Sequence, residues 1–348
     1  MTSFLIKRLL LMIPTLLGIS IVVFCIIRWA PGSPVRSEGR GEGGEAALDA
    51  NLSKFRAEML GLNKPLPVQY WNWLSKVVQL DFGNSMTEHR PIRDMIWERV
   101  GLTVKMNLVT DFLIYLIAIP LGLLAARNRV APPLRRFVFD TMSGWSLLVL
   151  YSVPSIVIST FLIIVLSRGG LVDSLLQAYQ ITGWSWLIMP IGGVNSPGSD
   201  QLSLGAYLVD VGRHFVLPII AMTAGGLAYM SRFSRNMLLE NLQADYIRTA
   251  RAKGLSERKV VYVHALRNSL LGMITILVDI LPAMIGGSVI IETIFGLPGM
   301  GQLLYWAVLR RDYATIQALS LVGAGLTLAA MLLADVLYAV VDPRVRYD

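Results

Sequence analysis

The chain has few of the residues from which catalytic and metal sites are built. Among 348 residues there is one cysteine, Cys25, which excludes a disulfide framework and a CxxC metal or redox site. The three histidines, His89, His214 and His264, lie far apart, and none is part of an HExxH pattern. GxSxG and GxxxxGK(S/T), the signatures of a serine nucleophile and of a phosphate-binding loop, are also absent. We therefore predict that this chain is not an enzyme and holds no catalytic residue, metal or cofactor.

Charged residues are also scarce, at 16% of the chain against about 25% in soluble proteins, while 54% of residues are hydrophobic. The hydrophobic residues are concentrated in six long runs, and the first contains 19 residues without a charge, enough to cross a bilayer. That run is too long for a signal-peptide core, so we expect it to be a retained anchor. The runs are 9–27, 106–126, 141–167, 214–231, 269–291 and 313–341.

The positive charges indicate how these runs are oriented. Loops 127–140 and 232–268 contain 4 and 8 Lys or Arg residues, whereas loops 168–213 and 292–312 contain 2 each. Because basic loops stay in the cytoplasm, the two rich loops are predicted to be cytoplasmic, and an even number of crossings puts both termini there too. The net charge of +8 is thus explained by membrane topology rather than by nucleic acid binding.

The predicted fold is all-α: a polytopic, multi-pass membrane protein with six transmembrane helices. Residues 1–35 form an N-terminal anchor, 36–105 an extracytoplasmic segment, 106–341 a five-helix core, and 342–348 a cytoplasmic tail. The core carries an extracytoplasmic insert at 168–213 and a cytoplasmic loop at 232–268. Aromatic residues in 65–82 predict that this part packs or lies at the membrane interface, and the turn at 195–198 indicates that the insert is ordered.

The cytoplasmic loop is the most informative segment. Residues 242–253 favour a helix, Gly254 favours the left-handed conformation that ends one, and Ser256 followed by Glu257 favours the start of the next. The sequence therefore predicts a helical elbow at Gly254.

Two interpretations of this elbow stay open on residue types alone. It could be a docking surface, on which the small Ala250 and Ala252 permit close approach while neighbouring basic residues offer charge. It could equally be a basic loop that merely follows the positive-inside rule, and that simpler interpretation is favoured because basic inner loops are the norm.

The order of residues in the elbow resembles the permease subunits of bacterial ABC importers. Their cytoplasmic signature reads Glu-Ala-Ala, three residues, Gly, nine residues and Ile-x-Leu-Pro; Ala250, Gly254 and Leu266 match it. Arg248 and Thr249 replace Glu-Ala, and His264 and Arg267 replace Ile and Pro. These departures resemble the variant found in the oligopeptide, dipeptide and nickel importers, as do residues 245–255 and 264–268.

Further stretches resemble the same branch along most of the chain. Ser33 departs where Asp is frequent, and Gly272 where Pro is usual. The matching stretches are 4–8, 30–34, 65–70, 81–83, 292–301, 311–313 and 338–344.

The resemblance implies a type I ABC importer permease fold, a location in the bacterial inner membrane and an uptake function for peptides or a related small solute, by alternating access. The implied partners are a second permease subunit, two ABC ATPase subunits that bind ATP and Mg, an extracytoplasmic substrate-binding protein and the lipid bilayer. The residues implied in coupling to the ATPase are Asp245, Arg248, Thr249, Ala250, Arg251, Ala252, Lys253, Gly254 and Leu255.

Candidates for the translocation path are less specific. Asp279 lies about 16 Å of helix from the inner end of its run, near mid-bilayer, where a pore-lining role and a structural hydrogen bond remain open. Pro282 lies in the same run. Gly296, Pro298, Gly299 and Gly301 precede an apolar segment and, given the family match, favour a re-entrant turn near an external gate over a simple outer loop.

The alternative function is an ion-gradient-driven secondary transporter or channel that uses Asp279. Inverted hydropathy repeats and paired intramembrane charges would support it, and the sequence shows neither.

Overall fold

The computed structural model describes residues 2–29, 64–127, 134, 137–181, 183–270, 272–273 and 288–341. Within these ranges the chain is helical, with two isolated β-bridges and no strand, which confirms the predicted all-α class. Two π-helical turns, Phe137–Met142 and Val260–Ala265, accompany the helices. The helices are α1 (Thr2–Trp29), α2 (Leu66–Val78), α3 (Ile92–Arg127), α4 (Ser143–Ser152), α5 (Ser155–Leu166), α6 (Leu171–Ala178), α7 (Leu204–Gln243), α8 (Asp245–Ala252), α9 (Glu257–Lys259), α10 (Val289–Ile294), α11 (Met300–Leu309) and α12 (Tyr313–Val341).

Four helices of the described ranges, α1, α3, α7 and α12, are long and apolar enough to cross a bilayer. The bounds of α12 coincide with the predicted last run, whereas α3 begins well before residue 106. Helix α7 has 40 residues and is about 60 Å long, so it extends beyond the predicted run 214–231 at both ends. The fifth predicted run, 269–291, lies largely outside the described residues, so the count of six crossings stays a prediction.

The third predicted run is not one continuous helix. It is divided into α4 and α5, which meet at an angle of 97°. Proline at 154 disfavours helical backbone at the residue before it, and Val153 is extended, with φ −85° and ψ 121°. Each half is too short to span a bilayer of about 30 Å alone.

The chain divides into two compact units. Of the described residues, those up to Arg99 and Leu303–Leu332 belong to the first unit, and those from Val100 to Gln302 and from Leu333 onward belong to the second.

In the first unit, aromatic side chains join α2 to α1. The Phe24 ring lies 5.4 Å from the Tyr70 ring and 5.8 Å from the Trp73 ring, and the hydroxyl groups of Ser20 and Tyr70 form a hydrogen bond of 2.7 Å. The predicted packing of segment 65–82 is thus confirmed. Trp71, in the same helix, is exposed.

In the second unit, α3 and α7 pack closely where their side chains are small. A Cβ atom on Gly122 would lie 2.6 Å from the Cβ of Ser234 and 2.8 Å from the carbonyl oxygen of Ser231. Only glycine therefore permits this approach, which is typical of helix pairs in membranes.

The insert 168–213 is ordered by its own polar contacts. Asp210 at the start of α7 accepts hydrogen bonds of 2.7 Å from both the backbone N–H and the hydroxyl of Ser196. Gly198 adopts a left-handed conformation with φ +78°, as the predicted turn requires. Trp184 and Trp186 stack with their rings 6.4 Å apart.

Candidate functional site

The predicted elbow is built on α8, a short helix with one apolar face. Ile247 and Ala250, three residues apart, lie on that face and are 0% and 7% exposed. They share a hydrophobic cluster with residues of α3 and α7 and of the following π-helical turn. Burying an isoleucine side chain stabilises a fold by about 2 kcal/mol, so α8 is anchored to its own chain. The other members of the cluster are Leu123, Ala126, Leu238, Val260, Val261 and Ala265.

The elbow itself has the geometry that ends a helix at glycine. Gly254 has φ +76°, and its N–H donates to the carbonyl of Arg251 at 2.9 Å. The N–H of Leu255 donates back to the carbonyl of Ala250 at 3.3 Å, and its side chain packs against the cluster that contains Ala250. These are the two hydrogen bonds and the apolar contact of a Schellman motif. The expected left-handed helix end at Gly254 is present.

A second contact braces the turn. Ser256 precedes α9 in extended conformation, as expected for a helix cap, but its side chain makes no capping hydrogen bond. Instead, the guanidinium group of Arg251 donates to both carboxylate oxygens of Glu257, at 2.7 and 3.4 Å. This two-point ion pair joins the two arms of the elbow at the surface.

The face of α8 that a partner can reach differs from the one expected from the sequence. Ala250 is buried in the chain's own core, so it does not offer the close approach proposed for it, whereas Ala252 is exposed. Asp245 and Arg248 form an exposed ion pair with a nitrogen–oxygen distance of 3.3 Å. The exposed residues of the predicted coupling set are Asp245, Arg248, Thr249, Arg251, Ala252, Lys253 and Gly254, and Leu255 is half-buried.

Hydrogen bonds connect the elbow to the membrane helices. The Tyr246 hydroxyl donates to the side-chain carbonyl of Asn241 at 2.7 Å, and the amide nitrogen of Asn241 donates to the Ser269 hydroxyl at 3.1 Å. Asn241 lies at the end of α7, so a displacement of α8 would be transmitted to α7 and to the segment at 269. No local sequence pattern indicates these contacts of Asn241.

The predicted outer turn connects α10 to α11. Gly296 has φ +59°, and Gly299 lies so close to Glu292 and Thr103 that a Cβ atom would come within 2.5 and 2.6 Å of their side chains. A Cβ atom on Gly301 would lie 2.7 Å from the backbone nitrogen of Val289. All three glycines in the predicted set are therefore required by backbone conformation or by close approach.

Glu292 is the centre of this turn, although the sequence did not single it out as functional. Its carboxylate accepts from the Thr103 hydroxyl at 3.0 Å and from the backbone N–H of Gln302 at 2.9 Å, and it is 1% exposed. It thereby caps the first turn of α11 and ties it to α3. Burial raises the pKa of Glu292, although the hydrogen bonds from Gln302 and Thr103 act in the opposite direction.

The translocation-path candidates Asp279 and Pro282 lie outside the described residues. Of the other candidates, Gly296, Pro298 and Gly299 lie in the turn and Gly301 lies in the first turn of α11, while the coupling residues lie together in the elbow.

Nearly the whole chain matches known protein families. A family model described as "binding-protein-dependent transport system inner membrane component" matches residues 118–347, and the model of the corresponding N-terminal region matches residues 1–107. The oligopeptide transport system permease protein AppB of Bacillus subtilis is 35% identical over 348 residues. The glutathione transport system permease protein GsiC of Escherichia coli K12 is 33% identical over 347 residues, and both relatives are covered over 100% of each chain.

A solved structure has a similar fold. The MetNI methionine ABC transporter, in an inward-facing conformation, matches with a TM-score of 0.51 and 18% identity, over 71% of this chain and 96% of that chain. At that identity the likeness shows the fold, and it agrees with the predicted ABC importer permease fold.

Proposed function

Since the chain belongs to the family of binding-protein-dependent transport system inner membrane components, the permease subunits of ABC importers, we propose that it forms half of a peptide importer and is moved by ATPases that bind at the elbow. The observation that carries this proposal is the full-length match to permeases of oligopeptides and of glutathione, itself a tripeptide.

The proposed assembly has four further subunits. ABC importers work with ATPase and substrate-binding partners, and for this chain we propose a second permease, two ATPases that bind ATP and Mg, and one extracytoplasmic binding protein. The elbow suits the ATPase contact because its buried face fixes α8 to α3 and α7 while the opposite face presents Arg248, Thr249 and Ala252. A rigid lever with one free face transmits movement better than a flexible loop.

Hydrolysis of ATP would then move α8, and with it α7, because Asn241 links the two through Tyr246 and Ser269. Movement of α7 against α3 would switch access to the path between the two sides of the membrane. The outer turn held by Glu292 would form part of the external gate.

The test is the variant Ala252→Trp, which enlarges the exposed face of α8 without touching the core. We expect it to reduce copurification of the ATPase subunits and to abolish uptake of a radiolabelled tripeptide by intact cells. The matched control is Ala206→Trp, an exposed alanine at the other end of α7 that is predicted to lie outside the membrane. This control should retain ATPase copurification.

Two results would contradict the proposal. Normal uptake and normal copurification in Ala252→Trp would show that no ATPase contacts this face. Uptake that persists without ATP and collapses when the ion gradient is removed would favour the secondary transporter instead.

A further inference from the structure

The first part of the insert, residues 169–191, carries a surface that the proposed coupling and gating roles do not use. Asp173 is its only charged residue, whereas about one residue in four is charged in a soluble protein. Asp173 is itself buried, and its carboxylate accepts hydrogen bonds from the backbone N–H of Gly169 at 2.7 Å and from the side-chain amide of Gln177 at 2.9 Å. The described surface of 169–191 therefore presents no charge to its surroundings.

Helix α6, within this part, has an exposed apolar stripe. Leu171 and Leu175 are four residues apart, so they are neighbours on one face, and both are exposed. Each is two residues from the buried Asp173 and therefore lies about 160° away from it around the helix. Tyr179, just after the helix, is also exposed. The side of α6 that faces away from the rest of the chain is thus apolar.

Hydrogen bonds hold this part of the insert at the ends of two apolar runs. The N–H of Met189 donates to the carbonyl of Leu166 at 2.7 Å, and the N–H of Arg168 donates to the carbonyl of Met189 at 3.2 Å. The guanidinium group of Arg213 donates to the carbonyl of Ile188 at 2.5 Å. Leu166 lies at the end of the third run, and Arg213 directly precedes the fourth. Residues 188–189 therefore lie at the boundary of the bilayer, on its outer side in the predicted orientation.

The exposed aromatic and leucine side chains lie close to that boundary. Leu171 follows Leu166 by five residues, and Trp184 and Trp186 precede Met189 by five and three. Since an extended chain spans at most about 3.5 Å per residue, all three lie within about 18 Å of these fixed points. The two indole rings are 6.4 Å apart and exposed, and tryptophan is enriched where lipid meets water.

We propose that α6 and the Trp184–Trp186 pair lie in the outer surface of the lipid bilayer and anchor the insert there. Helices with one apolar face bind in this way, with the apolar side chains at the boundary between headgroups and acyl chains. The stripe continues a surface that already faces lipid, because α6 packs against α5, on which Phe161 and Ile164 are exposed. The two helices approach so closely that a Cβ atom on Gly170 would lie 2.6 Å from the carbonyl oxygen of Ile164. The lack of exposed charge fits lipid better than water.

The experiment places a nitroxide spin label at Leu175→Cys in a Cys25→Ser background. The labelled transporter, assembled with its partner subunits, is studied in nanodiscs of phosphatidylethanolamine and phosphatidylglycerol. Collisions of the label with oxygen, which concentrates in lipid, are compared with collisions with a water-soluble nickel chelate. We expect the ratio of oxygen to nickel collisions to be severalfold higher than at Gln201→Cys, an exposed position of the same insert. Leu171→Cys, one turn from Leu175, should repeat the high ratio and serves if the first variant fails to assemble.

Three results would overturn the proposal. A ratio equal to that at Gln201→Cys would show that the stripe faces water. Few collisions with either reagent would show that another subunit covers it. Loss of nickel collisions only after the extracytoplasmic binding protein is added would show that this protein, rather than lipid, is the occupant.

Discussion

Two opposing effects act on the pKa of Glu292: burial favours the neutral carboxyl group, and the hydrogen bonds favour the carboxylate. Burial dominates and raises the pKa of the carboxyl above its usual value. Because the pKa in the folded state lies above the unfolded value, the stability that this carboxyl contributes is fully present below the unfolded pKa. It is lost as the pH rises through the folded pKa.

This loss of stability with rising pH can be tested with Glu292→Gln, because glutamine cannot ionise. We expect the difference in melting temperature between the original protein and the variant to be most favourable to the original near pH 4.5 and to shrink toward pH 8. Thermal unfolding of the detergent-purified transporter measures it, with the exposed Glu240→Gln as control. A difference that grows with pH would show that the hydrogen bonds outweigh burial and that the pKa is lowered.

Position 254 requires glycine because of its backbone conformation and not because a side chain would lack room. Its φ is +76°, yet a Cβ atom there would meet no atom within 4 Å. Alanine should therefore cost about 1 kcal/mol, asparagine less, and valine more, because β-branched residues tolerate the left-handed region least.

Hydrogen exchange of the amides at 250–256 checks this order. Protection should fall in the order Gly, Asn, Ala, Val at position 254. At Gly323, inside α12 with free space around it, alanine should be neutral or stabilising, since it is the better helix former. Equal effects at the two glycines would refute the conformational explanation.

Asp312 joins two structural elements of the first unit, the turn 84–91 and the start of α12. Its carboxylate accepts from the hydroxyl groups of Ser85, Thr87 and Thr315, and from the backbone N–H of Thr315 at 3.2 Å. It is thus a helix N-cap that also fixes a loop far away in sequence.

Asp312→Ala should destabilise this junction by roughly 2–4 kcal/mol, because it removes the cap and leaves buried hydroxyl groups without their acceptor. Hydrogen exchange at residues 84–91 should rise accordingly. Asp94→Ala, which removes a half-exposed carboxylate from the first turn of α3, should cost about 0.3–1 kcal/mol and leave 84–91 protected. Unchanged exchange at 84–91 in Asp312→Ala would show that other contacts hold the turn.

Sequence predicts elements well where one physical factor decides them. The last apolar run matches α12 because it is long, mostly apolar and free of proline, and Gly254 ends α8 because glycine favours φ above zero there. The third run is long and hydrophobic enough for one helix. It is divided because Pro154 favours extended backbone at Val153, which neither length nor hydrophobicity indicates.

Prediction is weaker where tertiary contacts decide. The small size of Ala250 is compatible with contact to a partner or with burial in its own core, and only the positions of Leu123 and Leu238 show that it is buried. Glu292 and Thr103 are 189 residues apart in the chain, so no local pattern could indicate that they meet.

On the scale of the whole molecule, the lipid bilayer acts as solvent for much of the surface. Leu10 and Ile13 of α1 and Phe112 of α3 are more than half exposed, as are many other large apolar side chains. A water-soluble protein rarely shows such continuous apolar surface. The exposed apolar faces of the long helices therefore agree with a multi-pass membrane protein.

The orientation of the molecule depends on the distribution of its Lys and Arg residues, and the single cysteine makes it directly measurable. In a Cys25→Ser background, we expect a membrane-impermeant maleimide to label Gln201→Cys on intact cells, because loop 168–213 has few basic residues. Ser256→Cys, which replaces an exposed serine of the elbow, should be labelled only after the cells are permeabilised. Tyr347→Cys should behave like Ser256→Cys, since six crossings put the C-terminus on the same side as the elbow. Labelling of Tyr347→Cys on intact cells would mean that an odd number of crossings follows the elbow. Labelling of Ser256→Cys on intact cells would mean that the elbow lies outside the cell, where it could not contact a cytoplasmic ATPase.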